Sequence, residues 1–213
     1  MAIEASAGAT SHGSEGRPPR FSNGLKEFLW QLEGVGHGIV ADFGSVSQST
    51  VTYFAERGFK LYTEDMLAAW GAFLHKDEAR LKQDDQSPLS PAEKAERFLA
   101  SNIRYAADSF DGVLLWDVLD YLDRETAFLF LARISSLMKQ GGAILTIFHM
   151  RMPEQFYRYR VLDGQNLDLV PATPLVPPQH IYQNREIQEL FERFRSSKTF
   201  VGRDQLREGV FVK

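Results

Sequence analysis

Residues 39–43, Ile-Val-Ala-Asp-Phe, run without a break into Gly44, and this junction constrains the fold more than any other stretch of the chain. A short apolar run with one polar member reads as a buried strand, and a glycine directly after it marks a tight turn. Residues 49–57 then place Val51, Phe54 and Ala55 on one helical face, with Gly58 positioned to stop the helix. A second strand, 59–63, ends at Glu64-Asp65. Strand, glycine turn, helix, strand and acid make the opening βαβ unit of a nucleotide-binding sheet, and the connection is long enough for a parallel crossover.

The rest of the chain continues the alternation. Ahead of the first strand, Phe21, Leu25, Phe28, Leu29 and Leu32 recur at helical spacing, with Ser22 or Asn23 as the N-cap. A helix is predicted over 66–81, then a polar loop over 82–89, then a helix opened by the Ser90, Pro91 and Glu93 capping box. The apolar run inside 111–116 is typical of a buried parallel strand. An amphipathic helix over 123–138, closed by Gly141-Gly142, leads to another buried strand at 143–148. Alternating residues around Asp163-Gly164 predict a hairpin over 157–170, followed by a helix at 184–194 and two β stretches at 198–201 and 209–212. The expected architecture is α/β: a doubly wound, Rossmann-like, mostly parallel sheet with helices on both faces and an antiparallel C-terminal strand pair.

A chain of 213 residues holds one sizeable domain rather than two. Residues 1–20 are rich in Ala, Ser and Gly and almost free of large apolar side chains. They are expected to be a disordered tail, and 21–213 the domain. The tail lacks the basic-then-apolar pattern of a secretory signal, and no segment reaches the roughly 20 apolar residues of a membrane span. A cytoplasmic protein is therefore expected. With no cysteine in the chain, disulfides, thiolate metal sites and a cysteine nucleophile are excluded. A net charge of −4 disfavours a nucleic-acid partner, which usually demands a basic face. No P-loop, zincin, nucleophile-elbow or EF-hand motif is present, so no metal site is expected.

Several motifs stand in register with one family. Ile39 to Gly44 resembles the first signature of the class I S-adenosylmethionine-dependent methyltransferases, an apolar strand with an acid and then glycine. Ala55-Glu56-Arg57-Gly58 is similar to the family's helix end, and Asp65 falls where it places an acid at the tip of its second strand. Phe110 to Leu122 resembles the fourth-strand motif, and Met138 to Leu145 resembles the turn into the fifth strand, with Gln140 where proline is commonest.

The resemblance implies S-adenosylmethionine as cofactor and a methyl acceptor that is a small molecule. A turn free of bulk lets backbone amides approach a ligand, and the following helix N-terminus favours its carboxylate, which places Gly44, Ser45 and Ser47 at the cofactor. Asp42 would accept from the ligand's ammonium group and Asp65 from both ribose hydroxyls. Asn102 would stand near the adenine amino group, with Ile103 and Trp116 as apolar surface against the base. His149, directly after the fifth strand, is a candidate general base at the carboxyl edge of the sheet. Tyr157, Tyr159, His180 and Tyr182 belong to the segment expected to cover the site. Each has a plainer reading: Gly44 as a strand-to-helix turn, Asp65 as a helix cap, Trp116 as core, and His149 as a hydrogen-bonded structural residue. Asp117 and Asp120 invite comparison with paired catalytic carboxylates, but the family pattern assigns Asp120 to packing or a helix start.

The family's first motif carries further glycines where this chain has Val46 and Gln48, whose side chains are expected to fill the space of the methionine moiety. That departure keeps a second reading open, a methyltransferase-like protein that serves as a scaffold or interaction module without catalysis. A nicotinamide-dependent dehydrogenase is excluded by Val46 and Ser49, which stand at the second and third glycine positions of G-x-G-x-x-G counted from Gly44.

Overall fold

A computed structural model of the chain describes residues 18–83, 87–174 and 176–213. The elements follow in the order β1 (Arg20–Phe21), α1 (Asn23–Gln31), β2 (Ile39–Asp42), α2 (Gln48–Ala55), β3 (Lys60–Thr63), α3 (Met66–Gln83), α4 (Pro91–Asn102) and β4 (Phe110–Trp116). A 3-10 turn at Val118–Tyr121 leads to α5 (Arg124–Leu137), β5 (Met138–His149), β6 (Phe156–Val161), β7 (Asn166–Ala172), α6 (Asn184–Leu190), β8 (Ser196–Val201) and β9 (Leu206–Val212).

Among these residues one six-stranded sheet has the order β3-β2-β4-β5-β9-β8. The β2–β3, β2–β4 and β4–β5 pairs are parallel, and β9 joins antiparallel between β5 and β8. Period-2 alternation sorts the core into two layers. Val40, Leu114, Leu145 and Val210 face α1 and α2, whereas Ala41, Val113, Leu115, Ile144 and Phe211 face α3 to α6. The doubly wound architecture expected from the alternating strands and helices is the one observed.

Capping residues set the helix starts. Ser22 Oγ accepts from Leu25 N–H at 2.9 Å, Asp123 Oδ1 from Thr126 N–H at 3.0 Å, and Ser90 and Glu93 form the reciprocal capping box. One strand begins earlier than its apolar run suggests: β5 starts at Met138, immediately after α5, because Met138 pairs with Phe110 before a register shift restores the ladder at Ala143. Gly142 sits in that bulge, where an added Cβ would lie 3.0–3.2 Å from the carbonyl oxygens of Lys139, Asp111 and Phe110.

A second, three-stranded antiparallel sheet, β1-β7-β6, lies over the α1/α2 layer. Val161 N–H donates to Thr50 Oγ1 at 3.0 Å, and Ser22 N–H donates to Gln165 O at 2.8 Å, which fastens the hairpin to α2 and to the start of α1. Arg20, expected at the end of a disordered tail, instead lies in β1 and pairs with the carboxylates of Asp204 and Glu208. Residues 1–17 of that tail, and 84–86 of the polar loop, lie outside the described residues. No described helix is long and apolar enough to cross a membrane.

Candidate active site

The carboxyl ends of β2 and β4 meet around one buried carboxylate. Asp42, 2% exposed, ends β2, and its Oδ1 accepts from Gly44 N–H at 2.9 Å and from the Trp116 indole N–H at 2.7 Å. Burial pushes its carboxyl up to about 6; the two donors oppose that shift and the charge of Asp65 adds to it.

Trp116 reaches Asp42 because the end of β4 is irregular. The β4–β5 register shifts between Leu114 and Trp116, and Trp116 adopts φ 50, in the left-handed region that non-glycine residues rarely occupy. Its ring stacks on Tyr159 of β6, centroids 5.6 Å apart and planes within 5°. The other flank of the indole abuts Gly44, where an added Cβ would lie 2.4 Å from Trp116 Cδ1. Glycine is required here by contact with the indole, and the turn itself holds no positive φ at this residue.

Around this contact is a cavity of about 70 Å³, lined by Gly44, Ser45, Asp65, Trp116, Asp117 and Tyr121 and roofed by residues 156–159 and 172–174 of the hairpin. That is well below the roughly 300–1,000 Å³ of small-molecule sites. Tyr121 also borders a wider cavity of about 230 Å³, walled by Trp70, Leu74, Pro91, Lys94 and Pro177.

Behind the cavity lies a buried acid–imidazole cluster. Asp120 Oδ2 accepts from the backbone N–H of His149 at 2.7 Å and lies 2.9 Å from His149 Nδ1. His149 Nε2 stands 4.0 Å from Asp117 Oδ2, which also receives the hydroxyls of Tyr121 and Tyr159 at 3.5 Å. Burial drives the Asp117 carboxyl up to about 7; His149 opposes the shift and Asp120 adds to it. Burial disfavours the His149 imidazolium, but its hydrogen bond to Asp120 and the charges of Asp117 and Asp120 outweigh it and hold its pKa above the ordinary histidine value.

The structure thus gathers five of the sequence-predicted cofactor residues, Asp42, Gly44, Ser45, Asp65 and Trp116. Asp65 also serves as a helix cap, its Oδ1 accepting from Ala68 N–H at 3.0 Å. Ser47 is buried one step behind the cavity, hydroxyl to hydroxyl with Ser49 at 3.0 Å. Asn102 and Ile103 stand apart from the cavity. Asn102 is exposed at the end of α4 with its amide N–H on Phe98 O at 3.0 Å, and Ile103 belongs to the core. Nor do Val46 and Gln48 fill the cleft: Val46 is 67% exposed and Gln48 reaches along α2 to Thr52. The side chain that narrows the cleft is Trp116.

His149 is at the site through Asp117, while His180 pairs with Glu186 at 3.0 Å and Tyr182 packs on Phe148. Tyr121, Phe156 and Arg158 are cavity residues that the sequence did not single out, whereas Asp117, noted there beside Asp120 as one of two neighbouring carboxylates, lines the cavity. The signal for Asp117 and Asp120 was present as two acids three apart directly after a buried strand.

Sheet order, crossover helices and a cleft at the carboxyl edge define a Rossmann-like, doubly wound α/β protein. Neither a protein-family model nor a curated protein matches the chain. Solved structures match it in fold. A Rhodobacter sphaeroides protein named provisionally as a Zn-dependent alcohol dehydrogenase has 12% identity and a TM-score of 0.51, with 91% of this chain and 92% of that one covered. A Burkholderia thailandensis 1,6-didemethyltoxoflavin-N1-methyltransferase, solved with 1,6-didemethyltoxoflavin and S-adenosylhomocysteine, has 16% identity and a TM-score of 0.44, covering 89% and 77%. A Sulfolobus solfataricus protein named provisionally as a type 11 methyltransferase has 16% identity and a TM-score of 0.48, covering 88% and 90%. At such identities the likeness is one of fold.

Proposed function

We propose that the chain binds S-adenosylmethionine at the carboxyl ends of β2, β3 and β4 and transfers its methyl group to a small-molecule acceptor. The observation that carries this reading is the convergence of Gly44, Ser45, Asp65 and the β4 end on one cleft at the crevice where doubly wound sheets take ligands. The donor chemistry fits the cofactor. Ser47, the N-cap of α2, makes no side-chain cap bond, so the first amides of the helix remain available to a carboxylate. Asp65 suits ribose hydroxyls and Asp42 an ammonium group. The volume fits only once the indole of Trp116 leaves Gly44 and the hairpin end lifts.

When bound, the cofactor supplies an electrophilic methyl on a sulfonium. The protein's part is then alignment and exclusion of water, for which the aromatic walls Phe43, Phe156 and Tyr157 are suited. Titration calorimetry with S-adenosylmethionine and S-adenosylhomocysteine tests the reading. Micromolar binding that Asp65→Ala weakens at least tenfold is expected, and no binding up to millimolar concentration would overturn it. The indole against Gly44 favours one alternative, a methyltransferase-like interaction module without catalysis. Binding by Trp116→Gly but not by the wild type would support that alternative.

A further inference from the structure

We infer that Asp117 is the general base of this cleft, positioned and relayed by His149 and Asp120, and that the acceptor is a planar aromatic compound whose reactive atom carries an acidic proton. The inference rests on the methyl-transfer reading and names its acceptor class.

The geometry supplies each part. Asp117 lines the cavity directly, next to Trp116 and Tyr121. His149 Nδ1 faces Asp120 Oδ2 at 2.9 Å, and a carboxylate there can only accept, so the neutral ring carries its proton on Nδ1. That tautomer turns the Nε2 lone pair toward Asp117 Oδ2, 4.0 Å away. Asp120 is fully buried and also takes the His149 backbone N–H at 2.7 Å, so ring and strand are held by one carboxylate. A bare structural role for His149 would be met by Asp120 alone. The second ring nitrogen aimed at a cavity acid is what the structural reading leaves unused.

The proton balance is simple. The acceptor's O–H or N–H bond breaks, its electron pair stays on the heteroatom, and Asp117 gains the proton. Closure of the 4.0 Å gap to hydrogen-bond length lets Asp117 pass it to His149 Nε2, which becomes an imidazolium between two carboxylates. Burial that brings the Asp117 carboxyl to about 7 matches this base to acids of similar strength. The walls choose the body of the acceptor. Phe43, Trp116, Tyr121, Phe156, Tyr157 and Tyr159 line the cavity with aromatic residues. The ionisable groups facing the relay are Tyr121, Tyr159, His180 and Tyr182, together with Arg20 beyond Tyr159.

The probes are 4-nitrophenol, whose anion absorbs visibly, and 4-nitroanisole, which has the same body without the proton. Absorbance and affinity are measured across pH for the full chain, Asp117→Asn, His149→Gln and Asp120→Asn. The wild type should bind nitrophenol at least tenfold more tightly than nitroanisole and show the phenolate band at a pH below the probe's midpoint in water. Asp117→Asn should abolish both the band and the preference. The isosteric amide removes a buried charge, and a melting curve establishes its folding. His149→Gln and Asp120→Asn should keep the probe bound but move the midpoint of the band upward by about one pH unit, tenfold in the equilibrium. Absence of a preference in the wild type, or a phenolate band that survives in Asp117→Asn, would overturn the inference. S-adenosylhomocysteine binding is measured in parallel. Cofactor binding without a nitrophenol preference overturns this inference and leaves the cofactor reading standing. The preference without cofactor binding keeps the base and overturns methyl transfer.

Discussion

Replacing Trp116 by alanine and, separately, by glycine isolates the backbone strain at the end of β4. Both variants lose the same indole, its stacking on Tyr159 and its hydrogen bond to Asp42, so both should lose roughly 3–5 kcal/mol, the usual cost of emptying a buried tryptophan site. They differ in what φ 50 demands of the residue. An L-residue in the left-handed region costs about 1–2 kcal/mol. Glycine escapes that cost, although it gives back about 0.4–1 kcal/mol through the greater freedom of its unfolded chain. At the middle of these ranges the difference leaves Trp116→Gly more stable than Trp116→Ala by roughly 0.8 kcal/mol, the reverse of their order in ordinary strand positions. In urea, with a slope of about 1–3 kcal/mol/M, the glycine variant should unfold at a midpoint a few tenths of a molar higher. Equal midpoints, or a higher one for alanine, would refute the claim that the backbone is strained there.

Four further outcomes follow from named contacts. Gly44→Ala should cost about 1–3 kcal/mol, because its Cβ lands 2.4 Å from Trp116 Cδ1. The cost should vanish in the Trp116→Gly background, a coupling that a double-mutant cycle reads directly. Arg20→Ala should destabilise the chain by roughly 3–5 kcal/mol, since among the described residues it leaves the 2%-exposed Glu208 with the Gly24 N–H alone, and a loss below 1 kcal/mol in denaturant would count against the network. Asp42 titrates near 6 in the folded chain against an ordinary 3.8, so folding disfavours its carboxylate. Its stabilising contribution is complete below about pH 4 and is lost as pH rises through about 6, amounting to roughly 3 kcal/mol. The stability–pH curve of Asp42→Asn should be flatter over that window, and parallel curves would refute the assignment.

Much of the fold was legible because it rests on local rules. Ser22, Ser90 and Asp123 announce helix starts through hydrogen bonds made within a few residues, and the 110–116 and 143–148 runs are apolar because both faces of a parallel strand are covered. Elements whose partners are distant in sequence were less legible. Arg20 looks like the end of a tail until its partners Asp204 and Glu208 are brought beside it from 184 and 188 residues away. The site divides the same way. Gly44 and Asp65 follow from the strand-turn-helix pattern, whereas the Asp117–His149 approach depends on β4 and β5 lying side by side. Asn102, placed near the adenine only by the family resemblance, ends α4 away from the cavity, in a chain with no strand between α4 and β4.

Val46 and Gln48 point to the physical reason that a sequence motif and its cleft separate. A motif departure suggests bulk inside the cleft, but the turn carries Val46 outward and α2 carries Gln48 along its own surface, so neither substitution costs the cleft any volume. The narrowing comes instead from a residue that looks like ordinary strand core. A register shift in β4 and a left-handed φ turn the Trp116 indole across the sheet edge, where Asp42 and Tyr159 hold it in place. The same indole occupies the space against Gly44, caps the carboxylate proposed for the cofactor's ammonium, and joins the wall of the cavity that Asp117 enters. A ligand that displaces it must replace its hydrogen bond to Asp42, and an ammonium group does so with a full charge. Cofactor entry and indole release are therefore competing claims on one carboxylate oxygen, and tryptophan fluorescence should change in step with calorimetric saturation if the two are linked. Saturable binding with no change in the Trp116 signal, assigned by comparison with Trp116→Phe, would place the cofactor elsewhere.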